Sequence, residues 1–283
     1  MPDFPIVDSH VHLWDISRLD YAWLNAFPLI NKTHLTEHFF KECTPVLVSK
    51  IVFIECGGVT KNGLSEIDLI SEIARNSSNI KAIVAHAPLE RGLSVEEKLI
   101  SFSKNPLIRG VRRLIQSEED SNFCLNRDFI AAIKLLPQYN YTFDICIYHY
   151  QMDAVLNLVR QCPEVKFVLD HLGKPPIKLG FLDPWRSKIK ALSKESNVWC
   201  KLSGLVTEAD YLHWTPEDLK PYLSHVIECF GFSRLMFGGD WPVAKLATDY
   251  PRWVHTLDTL LHSINSTERE NLFIKTAESF YTI

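Results

Sequence analysis

The sequence predicts an α/β fold, a single (β/α)8 barrel of the TIM type spanning residues 1–283. Three observations predict it. Short apolar runs rich in Val, Ile and Phe recur eight times, amphipathic stretches of helical period separate them, and no Gly-rich linker or internal repeat divides the chain. Runs that are near-continuous rather than alternating suit parallel strands covered on both faces. Strand–helix alternation implies parallel pairing, and eight units in 283 residues fit a closed barrel better than an open sheet.

The strand runs, in order, are FPIVDSHVHL (4–13), SKIVFIEC (49–56), IKAIVAHAPL (80–89), IRGVRRLI (108–115), YTFDICIYH (141–149), VKFVLDHL (165–172), NVWCKLSG (197–204) and SRLMFGGD (233–240). After the first comes a long, aromatic, proline-bearing connection, residues 18–45. Long connections after a barrel strand usually belong to the functional face. The later gaps hold LSEIDLISEIARNSS, SVEEKLISFSKN, NRDFIAAIKLLPQY, MDAVLNLVRQC, DPWRSKIKALSKES and TPEDLKPYLSHVIECFG, each with an apolar stripe at helical spacing. Ser94, Asn126 and Thr215 stand where N-caps belong. The Pro216, Glu217 and Asp218 that follow Thr215 suit a first helical turn, where the dipole favours acids.

Composition narrows the function. The chain is 46% hydrophobic and 23% charged with a net charge of −4, so no basic field invites nucleic acid or an anionic membrane surface. The N-terminus MPDFPIVDSH has no basic start and no apolar core of a secretory signal, and no apolar run is long enough to span a bilayer. The seven cysteines are scattered, odd in number and without a C-x-x-C pair, which reads as buried, reduced thiols in a cytoplasmic protein. The oligomeric state is left open, a homodimer included.

The C-terminal ends of the runs carry the chemistry. There stand His10 and His12, Glu55, His86, Arg112 and Arg113, His149, Asp170 and His171, Lys201 and Ser203, and Asp240. A barrel brings these ends together on one face, where its active site lies. The H-x-H of DSHVHLWD alone is a weak signal, and its bland reading is a pair of hydrogen-bonded core histidines. On a regular strand Asp8, His10 and His12 would share one face. Asp240 could be a turn residue, Lys201 a surface lysine and His86 a core-supporting histidine. Glu55 is balanced between site and structural partner, and only one of Arg112 and Arg113 can face inward. Polar residues at the end of every run outweigh these separate readings.

The strings DSHVHLWD, GVRRLIQSE, FDICIYHYQ, FVLDHLGKPPI, CKLSGLVTEADYLHW and MFGGDWPV resemble the amidohydrolase superfamily, a set of barrel hydrolases often dependent on metal. More narrowly they resemble its branch of sugar-acid lactonases, such as L-fuconolactonase and L-rhamnonolactonase, from about residue 6 to 282. Gly239 and Arg113 depart from the branch's usual strings. The resemblance implies a carboxylic-ester hydrolase of carbohydrate metabolism that opens a sugar-acid lactone, with the strand-eight aspartate, Asp240, activating water. Other reactions of the superfamily compete, such as decarboxylation of an unsaturated or aromatic acid, as does a catalytically inactive barrel kept for binding. Hydrolysis of a cyclic ester needs a base for water and an electrophile for the carbonyl oxygen. Asp240 and His171 are the expected catalytic pair. Arg112, His149, Lys201, Glu55 and the ring of Trp14, with Trp23 beside it, are the expected substrate contacts. His10, His12, His171 and Asp240 form an N/O set for one divalent cation, zinc or manganese, useful without being indispensable. No strand-four lysine is present to bridge a second ion.

Overall fold

The eight apolar runs form eight strands. They are β1 (Ile6–Val11), β2 (Val48–Ile54), β3 (Ile80–His86), β4 (Ile108–Arg112), β5 (Thr142–Ile145), β6 (Phe167–Leu169), β7 (Val198–Leu202) and β8 (Leu235–Phe237). All neighbours pair in parallel and in sequence order. The seam between the last strand and the first is closed by a Val11–Trp241 bridge and by the bonds His12 N–H to Trp241 O and Asp240 N–H to His10 O, both 2.8 Å. The computed structural model describes residues 1–59 and 63–283.

The helices outside the barrel are α1 (Thr36–Glu42), α2 (Glu66–Asn76), α3 (Glu96–Phe102), α4 (Arg127–Ile133), α5 (Met152–Gln161), α6 (Trp185–Leu192), α7 (Pro216–Phe230) and α8 (Tyr250–Leu260). Two more, α9 (Ser266–Glu270) and α10 (Thr276–Tyr281), finish the chain. Two of the three expected caps act as such. Asn126 Oδ1 accepts from the Asp128 N–H at 2.9 Å, and Asp218 accepts from the N–H and hydroxyl of Thr215. Ser94 does not cap. It lies in a 3-10 segment, Leu89–Val95, where its hydroxyl donates to the Arg91 carbonyl, and α3 begins two residues later.

Burial follows two layers. Alternate strand residues pack outward against the helices, while Val7, Val52, Ile54, Ala82, Val84, Val168 and Met236 fill the barrel. Ala277, Phe280 and Tyr281 of α10 join that inner cluster and plug one end of the barrel. All seven cysteines are free, six of them buried. Among the described residues no helix is long and apolar enough to cross a membrane.

Candidate active site

A cavity of about 590 Å³ opens at the C-terminal ends of the strands. That volume is in the range of small-ligand sites. His12, Arg112, His171 and Asp240 reach its wall from four different strand ends. The first strand supplies its imidazoles through an irregularity: the β1–β2 register shifts between Asp8 and Val11. This breaks the strict alternation of the strand, so Asp8 leaves the face it was expected to share with His10 and His12. Its carboxylate accepts from the His10 N–H, the Gly239 N–H and the Tyr250 hydroxyl, and burial pushes its pKa up to about 7. A β-carbon at Gly239 would stand 2.4 Å from Asp8 Oδ2 and 2.4 Å from the Tyr250 ring. Glycine at that departure from the usual string is therefore what lets Asp8 lock β1 to the segment after β8.

The donors converge around Asp240. His10 Nε2 and His12 Nε2 are 3.2 Å apart, and Asp240 Oδ1 lies 3.7, 3.6 and 3.9 Å from the Nε2 atoms of His10, His12 and His171. Burial raises the Asp240 carboxyl, but the imidazoles of His171, His12 and His10 outweigh it and hold the pKa well below the usual carboxylate range. Burial lowers His171 to about 4, against the pull of Asp240 and Asp170, so its ring is neutral at pH 7. Asp240 and His171 both carry left-handed backbone, φ 53° and 52°. Conformations of this kind persist where surrounding structure fixes them, commonly at functional sites. The turn at His171 is matched by Gly204, where a β-carbon would meet His171 Nδ1 at 2.4 Å, and that nitrogen bonds the Ser203 hydroxyl at 2.9 Å.

This donor set fits one divalent cation. Ligand atoms about 2.0–2.1 Å from a tetrahedral zinc stand roughly 3.3–3.4 Å from one another, close to the separations seen here. The tautomers agree too. His12 Nδ1 donates to the Ile54 carbonyl at 2.8 Å, which leaves the Nε2 lone pair facing the cluster. His10 Nδ1 has Asp170 Oδ1 at 3.3 Å and does the same when it donates there. His10, His12 and Asp240 form one potential ligand group, and His10, Asp170 and His171 an overlapping one. Asp170 is already committed to Arg112 and Lys201, which favours the first.

Beneath the cavity runs a buried ion network. Arg112 donates Nε to Glu55 Oε1 at 2.8 Å, Nη1 to Asp170 Oδ2 at 3.2 Å and Nη2 to the Glu55 carbonyl. Lys201 Nζ lies 2.5 Å from Asp144 Oδ2 and 3.0 Å from Asp170 Oδ1, and the Tyr281 hydroxyl donates to the same Asp144 oxygen at 2.8 Å. Lys201 Nζ is also 3.3 Å from His10 Nδ1.

Four expected substrate contacts do not reach the cavity wall. Lys201 is 0% exposed, because its ammonium is spent on two buried aspartates. Trp14 is 0% exposed, with Nε1 bonded to the Lys32 carbonyl. It stacks edge-on behind Trp23, which lines the cavity in its place. Glu55 holds Arg112 rather than a ligand. His149 turns its Nδ1–H to the Lys174 carbonyl, while its neighbour Tyr148 faces the cavity. Of the two arginines Arg112 faces inward, and Arg113 pairs outside with Glu90 and Glu118. His86 is exposed instead of core-supporting. Sequence reasoning gave no role to Lys174 and Glu208, which line the cavity from the loops after β6 and β7. Both lie in strings singled out for resemblance, DHLGKP and LVTEADYLHW, which was the available signal.

The chain is similar to known hydrolases along its whole length. The chain is 28% identical over 292 residues to an L-fucono-1,5-lactonase of Burkholderia multivorans, covering 98% of this chain and 96% of that one. It is 25% identical to an L-rhamnono-gamma-lactonase of Scheffersomyces stipitis, with both chains covered in full. A crystal structure of a Burkholderia multivorans amidohydrolase with bound zinc superposes with a TM-score of 0.89 at 26% identity, covering 99% of this chain and 100% of that one. A family described as amidohydrolase matches residues 7–283, and the chain belongs to that family.

Proposed function

We propose that this protein hydrolyses the ester ring of a sugar-acid (aldono) lactone, with Asp240 as the base. The observation that carries the reading is an ionised carboxylate ringed by three imidazoles, in a cavity that a fixed guanidinium also lines. Similarity to lactonases supplies the substrate class.

A water oxygen attacks the lactone carbonyl carbon while Asp240 takes its proton. The ring C–O bond breaks, and the departing alkoxide takes the proton back from Asp240, giving the open hydroxy acid. Arg112 has five N–H donors, of which three are bound to Glu55 and Asp170. The remaining two are free for the carbonyl oxygen as its charge grows. His171 orients the water through Nε2, its ring fixed by Ser203. Trp23 and Phe27 give the sugar ring an apolar face. A divalent ion, zinc or manganese, held by His10, His12, His171 and Asp240 would add polarisation of the carbonyl when bound.

The test is a pH-indicator screen of the purified protein against a panel of aldono-lactones, with carbon dioxide measured in parallel. Acid release without carbon dioxide is expected. Carbon dioxide from an aromatic or unsaturated acid, with no lactone opened, would replace this reading with a decarboxylase. Inertness to every substrate offered would favour a binding role.

A further inference from the structure

Lys174 and Glu208 line the same cavity as His171 and Asp240, on the two loops after β6 and β7, which are tied to each other. Lys174 follows the left-handed turn at His171, has φ 51° itself and donates its N–H to the His171 carbonyl at 2.8 Å. The Glu208 N–H donates to the Leu205 carbonyl at 3.0 Å, and its own carbonyl accepts from the Lys178 N–H at 3.0 Å. The Lys174 ammonium sits 5.1 Å from the centroid of the Tyr148 ring. Its distance to Glu208 Oε1 is 3.9 Å, and the two side chains are only 15% and 19% exposed.

That separation is too long for a direct hydrogen bond, which needs about 2.7–3.2 Å between N and O. A hydroxyl oxygen about 2.8 Å from each atom would close the gap at an angle near 90°. Only a group that both accepts and donates satisfies the two ends, and a hydroxyl does so. A methyl would leave both charges dry, and a carboxylate would be repelled by Glu208. Charge pairing elsewhere agrees. Among the described residues lining the cavity the other fixed cation is Arg112, already matched by Glu55 and Asp170. A substrate carboxylate therefore meets no uncompensated cation there.

We propose that Lys174 and Glu208 are the specificity-determining pair of this site, reading a ring hydroxyl of the substrate and rejecting carboxylated analogues. The proposal rests on the lactone-hydrolase reading for the identity of the ring. Its test compares wild type, Glu208→Gln and Lys174→Met on two substrates, a polyhydroxylated aldono-1,5-lactone and unsubstituted δ-valerolactone. The ratio of their kcat/KM values is expected to fall about 10–100-fold in each variant, the size of a lost charge-assisted hydrogen bond. Glu208→Gln, which leaves Lys174 uncompensated, is further expected to be inhibited by citrate at about tenfold lower concentration, whereas Lys174→Met is not. Ratios within about threefold of wild type, or citrate inhibition unchanged in Glu208→Gln, would overturn the pair. Wild type that opens neither lactone would overturn the parent reading instead. Calorimetric titration with an aldopyranose then judges the pair alone: binding about tenfold weaker in Glu208→Gln sustains it, and equal binding sinks it.

Discussion

Replacing Lys201 with methionine keeps the apolar stem and deletes the ammonium. In the wild type that ammonium is the shared partner of Asp144 and Asp170, at 2.5 and 3.0 Å, in a region where all three residues are 0% exposed. Without it, among the described residues, Asp144 keeps only the Tyr281 hydroxyl, while Asp170 keeps Arg112 and His10. Removing one partner of a buried pair typically costs about 3–5 kcal/mol. At roughly 2–4 °C per kcal/mol for a chain somewhat shorter than this one, Tm should fall by about 6–20 °C. The sign with pH follows from Asp144. Burial pushes its carboxyl up to about 6 even with Lys201 present, and losing the cation pushes it higher. A carboxyl raised in the folded state favours folding at low pH and costs stability as pH rises through its folded pKa. The Tm gap between wild type and Lys201→Met should therefore be wider at pH 8 than at pH 5. Adding Asp144→Leu should recover part of the loss, because no unpaired charge is then buried. Scanning calorimetry at both pH values checks this. A gap under about 2 °C at pH 8, or one that widens as pH falls, would show that the network does not carry the stability assigned to it.

Three further outcomes follow from the site. Dialysis against a strong chelator, with residual metal measured on the same sample, should leave hydrolysis within about tenfold of the untreated enzyme, because Arg112 and His171 already polarise and orient; complete loss restored by one equivalent of zinc or manganese would contradict this. His149→Ala should keep kcat within about threefold, since its ring faces the Lys174 carbonyl, and a drop of about 100-fold or more would give it a part in proton transfer. Trp23→Ala should raise KM by about 5–10-fold with little change in kcat, by loss of the stacking face; an unchanged KM would remove Trp23 from the substrate wall.

The barrel was legible because parallel strands covered on both faces must be apolar runs, and seven of the eight runs contain a strand while the second misses only the first residue of β2, Val48. The helix between β3 and β4 was legible in type but not in start, since a 3-10 segment at Leu89–Val95 replaced the first turn and took Ser94 with it. For the site, strand-end position predicted convergence but not depth. His12, Arg112, His171 and Asp240 line the cavity, while Lys201 and Glu55 lie under it as counter-ions. Depth depends on which partner a charge finds across the barrel, and Asp144 gave no sign of itself within FDICIYH. The misplacement of Asp8 has a local cause, an irregularity that a period-2 reading does not anticipate. Lys174 was hidden because left-handed residues at 171, 172 and 174 fold the chain after β6 back over the site.

The central claim is that Asp240 takes the proton from water during lactone opening. Its direct measurement is kcat for aldono-lactone hydrolysis by Asp240→Asn beside wild type, with folding checked by circular dichroism and bound metal by elemental analysis. The asparagine amide cannot accept the proton, so kcat should fall by about 10²–10⁴-fold in a folded protein, whether or not the sample carries metal. Folded Asp240→Asn that opens the lactone at the wild-type rate would contradict the account.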